Sequence, residues 1–400
     1  MFREIGRAVR DARTRRDYYD YNLLAVIILL VAFGLIILYS ASSYDAATNS
    51  KMANDSMWYL RHQAPISVGA VLICVWISRF DYHYLKNWAG LLYVVSIILM
   101  AMVRFTPLGV SANGSRRWLK IGVQFQPSEI AKIAVIVFIP YLIILMGRKV
   151  NTLKGTMTLI FVGALPAIAA WQFTDNLSTG LIIGMITMVI IFVSHPKTAP
   201  FMVLLLVITV VAFGVVYYAS TLDSSVTESF RLRRIQAWLH PEEYSDYGGY
   251  QVIQGLYAIG SGGLFGKGLG NSAQKLSSIP EAQNDMIFTI ICEELGIFGM
   301  LLVLFLFGYL LYRLFFIAQN APDLYGSLMV TGIMAHMALQ VILNIAVVIN
   351  LIPTTGITLP FFSYGGTSSL FQMAELAIAL SVSRRIEFKE KAPADKRIRI

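Results

Sequence analysis

The chain has 400 residues, of which 56% are hydrophobic and only 14% charged, and its formal net charge is +9. That balance is far from a soluble enzyme's and marks a membrane protein. The excess Lys and Arg sit at the chain ends and beside apolar runs, so they report membrane topology and imply no nucleic-acid partner.

Residues 1–20 carry six Arg and lack a short apolar run ending in a cleavage site, which excludes a conventional cleaved signal peptide. Ten apolar runs follow, at roughly 21–42, 64–79, 88–107, 129–146, 154–171, 177–194, 200–220, 286–317, 326–352 and 367–383. Runs of about 17–25 residues can cross a hydrocarbon core of about 30 Å. They are continuous and do not alternate, which argues for helices and against a β-barrel. The predicted fold is an all-α polytopic membrane protein. Ten transmembrane helices occupy 21–383, between a basic N-terminus (1–20) and a basic tail (384–400). With the N-terminus inside, cytoplasmic segments hold about 20 Lys and Arg and outer segments about 11. The even span count then places both termini in the cytoplasm, where the basic ends meet anionic lipid. Cys74 and Cys292 fall inside spans and form no spacing motif, so they indicate neither a disulfide nor a metal site.

Some cations break the topological rule. Arg104, Arg116, Arg117 and Lys120 lie between spans three and four, and Arg231, Arg233, Arg234, Lys267 and Lys275 lie in the large outer segment 221–285. Two causes are open: structural pairing, or an anionic ligand such as a lipid phosphate, which the planar guanidinium fork binds bidentately. The same segment contains "GGYQVIQGLYAIGSGGLFGKGLG", a glycine density that permits close backbone packing and re-entry to membrane depth.

Three stretches carry candidate chemistry. In "NGSRRWLKIGVQFQPSEIAK" (113–132), Ser128 reads as a helix N-cap, and Glu129 and Lys132 share a helix face. They form an ion pair or, facing a cavity, help position a pyrophosphate. In "IPEAQNDMIFTIICEELG" (279–296), Asp285 stands at the outer end of span eight. Asn284 or Asp285 is an N-cap, or Asp285 is a base at the lipid–water boundary. Glu293 and Glu294 lie two turns deeper and are expected to pair with Lys132 or an Arg. In "NLIPTTGITLPFFSYGGTSSLFQMAE" (350–375), Pro and Gly break the chain into a loop apolar enough to dip into the membrane, with Glu375 interior and paired beyond it.

Together with "YSASSY" (39–44), "RRIQAWLHP" (233–241) and "SYGGTSSL" (363–370), these stretches resemble the SEDS family (shape, elongation, division and sporulation) over almost the whole chain. The first span looks more like the division and sporulation branch than the elongation branch. The resemblance implies a ten-helix fold in the bacterial inner membrane and an active site on its extracytoplasmic face. It implies polymerisation of lipid II, the undecaprenyl-pyrophosphate disaccharide-pentapeptide, into β-1,4 glycan strands with release of undecaprenyl pyrophosphate. Asp285 would be the catalytic base for the acceptor 4-hydroxyl in an inverting reaction. Substrate-binding candidates are Arg117, Lys120, Glu129, Lys132, Arg233, Arg234, Lys275, Glu281 and Ser363. The resemblance fixes no cofactor; a divalent cation, Mg or Mn, held partly by Asp285 would suit a pyrophosphate leaving group. Implied partners are a class B penicillin-binding protein with transpeptidase activity, other divisome or elongasome proteins, and membrane lipids. The chain also departs from the family pattern. Gln283-Asn284 precede Asp285 where members often carry His-Thr or Gln-Thr, and "TDNLSTG" replaces Pro-Asp-Leu-Gly-Thr. Thr355 stands where some division-type members have Lys, which shifts phosphate contact to other cations. The alternatives are a lipid II flippase, served by Glu129, Lys132, Glu293 and Glu375, or a scaffold without activity.

Overall fold

The computed structural model describes residues 18–112, 115–221, 230–244, 248–276 and 279–387. The basic stretches 1–17 and 388–400, and the lipid anchoring expected of them, lie outside the described residues. In chain order the helices are α1 (Tyr21–Thr48), α2 (Trp58–Ile77), α3 (Leu85–Phe105), α4 (Pro127–Met146), α5 (Leu153–Thr174), α6 (Leu177–Ser194), α7 (Ala199–Thr221), α8 (Phe230–Leu239), α9 (Gly249–Gly262), α10 (Ile287–Asn320), α11 (Leu324–Val348) and α12 (Gly366–Ser383). Among the described residues, nine helices are long and apolar enough to cross a membrane. α12 occupies the place of the tenth expected span and is not one of the nine. Its Gln372, Glu375, Ser381 and Ser383 are buried against protein, so its polarity does not meet lipid.

The bundle's two ends are fixed by different chemistry. Asp20 caps α1 by accepting from the Leu23 N–H at 2.8 Å. It also takes a two-pronged bond from Arg313 of α10 (2.6 and 3.1 Å), and its own N–H donates to Ser383 Oγ at 3.3 Å. The start of α1 and the end of α12 therefore share one end of the bundle. Asp285 lies at the opposite end of α10.

At that opposite end, β1 (Gly109–Ala112), β2 (Ser115–Ile121) and β3 (Val123–Phe125) form a three-stranded antiparallel sheet in the order β1–β2–β3, with Gly109 opposite Leu119 and Lys120 opposite Gln124. An all-α reading leaves it out, because the strands are only three to seven residues long and one of them carries three cations.

α10 is broken at Gly296 (φ 63°, ψ −156°). A broken helix at membrane depth must have its freed backbone groups paired by protein. The segment after α9 does this: the Lys267 and Gly268 N–H groups donate to the Glu293 and Glu294 carbonyls at 3.0 and 2.9 Å, and Ile297 N–H donates to Gly263 O at 3.1 Å. A Cβ at Gly262 or Gly266 would collide with the carbonyls of Cys292 or Glu294. The side chains complete the clasp. Lys267 pairs with Glu293 at 2.6 Å, and Lys275 pairs with Glu294 at 2.9 Å while Ser40 Oγ also reaches Glu294. The two glutamates are thus paired with lysines of the returning segment, a correction to the expected pairing of Glu293 and Glu294 with Lys132 or an Arg. The 350–365 segment also enters the bundle, with the Phe361 carbonyl against Gly34, halfway along α1.

Candidate active site

The loop before α10 is held by three contacts to neighbouring elements. Asn344 of α11 donates from Nδ2 to both the Asp285 and Ile357 carbonyls at 2.8 Å. Ser363 Oγ donates to the Asn284 carbonyl at 2.6 Å and accepts from the Leu359 N–H at 2.8 Å. The Tyr364 N–H donates to Gln283 O at 2.9 Å. Together they set the backbone of Asp285 while leaving its carboxylate directed at a cavity. The helix that follows is capped at Met286 with no side-chain bond, so Asp285 is not the N-cap. Nor is Ser128, since Gln126 precedes Pro127 at the start of α4.

The cavity has two lobes. The polar lobe, about 560 Å³, is lined by Asp285, Glu281, Gln251, Glu129 and Lys132 among others. The second, about 800 Å³, is walled by Leu177, Leu181, Met185, Leu343, Ile352 and Pro353. Arg117 of β2 and Arg234 of α8 line both lobes and so mark their junction. Arg117 Nε is buried without a hydrogen-bond partner. Burial holds the Arg117 guanidinium below its ordinary pKa, partly offset by Asp175. Burial does the same to Arg234, the nearby Arg117 charge adds to it, and Asp285 opposes both. Two partly dehydrated guanidiniums at one junction are chemically suited to an anion. Asp285 Oδ1 is 3.4 Å from Gln251 Nε2. Burial pushes its pKa up to about 6, its own N–H lowers it, Glu281 adds to the rise, and Arg234 and Gln251 counter it. A half-buried carboxyl that titrates close to neutrality suits a general base.

Below the polar lobe lies a buried chain of ionisable groups. Lys132 Nζ is 2.9 Å from Glu129 and 3.0 Å from His336 Nε2, and His336 Nδ1 is 2.7 Å from Glu375. His336, Gln340 and Asn344 recur every four residues along α11. That polar stripe in an apolar span was a readable signal for His336 and Asn344, and Gln251 of α9 carried none.

Four expected substrate contacts are not on the cavity wall. Lys120 is exposed on β2. Arg233 is half-buried on α8, one residue from the arginine that faces the cavity. Lys275 is buried in its pair with Glu294, and Ser363 is buried between two backbone segments. Glu281 does reach the cavity and accepts from Asn284 Nδ2 at 2.8 Å. Among the described residues no group of three His, Cys, Asp or Glu side chains is placed to hold a metal ion. Of the lobe's three carboxylates Glu129 is paired with Lys132, which leaves Asp285 and Glu281 to face a divalent cation, whose remaining ligands would have to come from substrate phosphates and water.

A helical membrane protein with a charged cavity opening into an apolar one, and an acid at the mouth of a broken helix, is built for a ligand that is both polar and lipid-like. The chain belongs to the cell cycle protein family that groups FtsW, RodA and SpoVE, whose model matches residues 20–387. It is 37% identical over 372 residues to stage V sporulation protein E of Bacillus subtilis, covering 93% of this chain and 98% of that one. It is 33% identical to a probable peptidoglycan glycosyltransferase FtsW of Trichlorobacter lovleyi, covering 91% and 93% of the two chains. Among solved structures it superposes on a chain from work on the coordination of polymerization and crosslinking by a peptidoglycan synthase complex. The TM-score is 0.72 at 26% identity, with 92% and 98% of the chains covered. The rod shape determining protein RodA of Thermus thermophilus gives a TM-score of 0.63 at 25% identity, with 93% and 98% covered.

Proposed function

We propose that the protein is a peptidoglycan glycosyltransferase that polymerises lipid II and releases undecaprenyl pyrophosphate. The observation that carries this is the pair Arg117 and Arg234 at the junction of a polar and an apolar lobe, with Asp285 in the polar one. A polyprenyl diphosphate sugar has the same order: apolar tail, diphosphate, saccharide. The tail lies along Leu177, Leu181 and Leu343, the diphosphate meets the two guanidiniums, and the sugar faces Asp285.

In the reaction, Asp285 takes the proton of the acceptor's GlcNAc 4-hydroxyl. The oxygen attacks the anomeric carbon of the lipid-linked donor, a C–O bond forms with inversion, and the bond to the diphosphate breaks. Charge grows on the departing diphosphate, where Arg117 and Arg234 stabilise it. The Asp285 end of the bundle is then the extracytoplasmic face of the bacterial inner membrane, and the termini lie in the cytoplasm. A transpeptidase of the class B penicillin-binding type is the expected partner, because a related chain was solved within a complex coordinating polymerization with crosslinking.

The test uses the full-length chain in liposomes with purified lipid II, following glycan synthesis and lipid scrambling separately. Asp285→Asn should abolish synthesis and leave scrambling as it was. Loss of scrambling alone would point to a transporter, and loss of neither would remove Asp285 from the chemistry.

A further inference from the structure

His336 is fully buried in the middle of α11 and is bonded through both ring nitrogens. Lys132 Nζ lies 3.0 Å from Nε2, and Glu375 Oε2 lies 2.7 Å from Nδ1. An ammonium has donors and no acceptor, so Nε2 must accept from Lys132. The ring is then neutral, and its one proton is on Nδ1, donated to the Glu375 carboxylate. Glu129 takes a second Lys132 N–H at 2.9 Å. Two of the three ammonium N–H groups are thereby committed, and the third remains for the cavity that Lys132 and Glu129 line.

Neither His336 nor Glu375 lines that cavity. Both are at most 1% exposed, which is a costly place for a histidine and a carboxylate unless they serve a group that does reach the cavity. A lysine stem has four rotatable bonds, and a cation that must meet a substrate oxygen gains from having them fixed beforehand. Glu129 alone would hold the ammonium from one side. The imidazole, itself oriented by Glu375, holds it from the other.

We infer that His336 is a positioning residue: as the neutral Nδ1–H tautomer tethered by Glu375, it aims the Lys132 ammonium into the polar lobe, at an oxygen of the lipid-linked substrate's head group. This rests on reading the cavity as a glycosyltransferase site. The placement of the ring proton is independent of that reading.

Two measurements on the full-length chain in nanodiscs test it. The first is ¹⁵N NMR of the histidines, with the His336 signal assigned by its loss in His336→Gln; the chain has 5 His, so the assignment is tractable. A neutral ring protonated on Nδ1 is expected, and an imidazolium or an Nε2–H ring overturns the inference. The second is lipid II kinetics beside thermal midpoints. His336→Asn keeps a donor near Glu375 and removes the acceptor facing Lys132, so kcat should fall about 10- to 100-fold, the cost of one bond to a charged group. His336→Gln carries an oxygen close to the Nε2 position and should recover the larger part of that loss. Equal kcat in the two variants at matched thermal midpoints, whether both fall or neither does, overturns the positioning role. Wild-type glycan synthesis in the same assay judges the enzymatic reading separately: its absence would end that reading and leave the tautomer result standing.

Discussion

Arg117 and Arg234 reach the same junction from a β-strand and a short helix, and the charge on Arg117 makes the charge on Arg234 harder to keep. An anion bound at that junction would offset the repulsion. Replacing either with Ala should raise KM for lipid II by about 10- to 100-fold, the value of a charge-assisted bond. Lysine should restore only part, because it lacks the bidentate fork. In the absence of substrate, Arg117→Ala should leave the thermal midpoint unchanged or raise it, since repulsion is relieved, whereas Arg234→Ala also removes a 3.3 Å bond to the Thr354 carbonyl. A lowered midpoint with normal KM would make the pair structural.

The Asp285 carboxyl, with a pKa raised from 3.8 to about 6, should govern the acid limb of the rate profile. As a base it works when ionised, so kcat/KM should fall about tenfold per pH unit below about pH 6. Asp285→Asn should cost about 100- to 10,000-fold in kcat. The stability effect runs the other way. A raised folded pKa means that the folded chain holds the proton more tightly than the unfolded one. That contribution is complete below about pH 4 and is lost as pH rises through about 6. At neutral pH the asparagine variant should therefore be more stable, by at most about 3 kcal/mol for the span from 3.8 to about 6. Calorimetry at pH 5 and pH 8 checks the sign.

The helices were legible because a membrane span is a run of apolar residues, a signal local in sequence. The family was legible because its motifs are local too. The partners of the buried charges were not. Glu294 meets Lys275 and Ser40, separated from it by 19 and 254 positions, and which lysine returns to which glutamate depends on how the glycine-rich segment folds back. Arg234 and Arg233 differ by one position on a helix, so periodicity alone leaves open which of them faces the cavity. Ser363 was expected to contact substrate, yet its hydroxyl is committed to backbone, a distinction only the fold makes.

The Lys275–Glu294 pair supplies a contrast with the site cations. Both side chains are at most 8% exposed, and the pair joins the returning segment to α10 and, through Ser40, to α1. Removing one partner leaves the other charge buried alone, which costs about 3–5 kcal/mol. Lys275→Ala should lower the thermal midpoint sharply and reduce the yield of folded protein. Lys275→Met combined with Glu294→Gln should recover most of that stability, since no lone charge remains. If the recovered double variant turns over lipid II with normal KM, Lys275 has no substrate contact; a raised KM would restore it to the site.

Ser363 acts on Asp285 through the backbone. Its hydroxyl donates to the carbonyl of the residue before Asp285 and accepts from Leu359 N–H. Ser363→Ala leaves both groups without a partner in a buried place, at a cost of about 1–3 kcal/mol. Asn344 still holds the Asp285 carbonyl, so the loop should loosen without leaving its place. A base displaced by a fraction of an ångström loses rate before the substrate loses affinity, because positioning is felt mainly in the transition state. The expected outcome is kcat lower by about 10- to 100-fold with KM within about twofold, measured with lipid II. A direct contact between Ser363 and the sugar would give the reverse, with KM rising and kcat kept, and that result would retire the clamp.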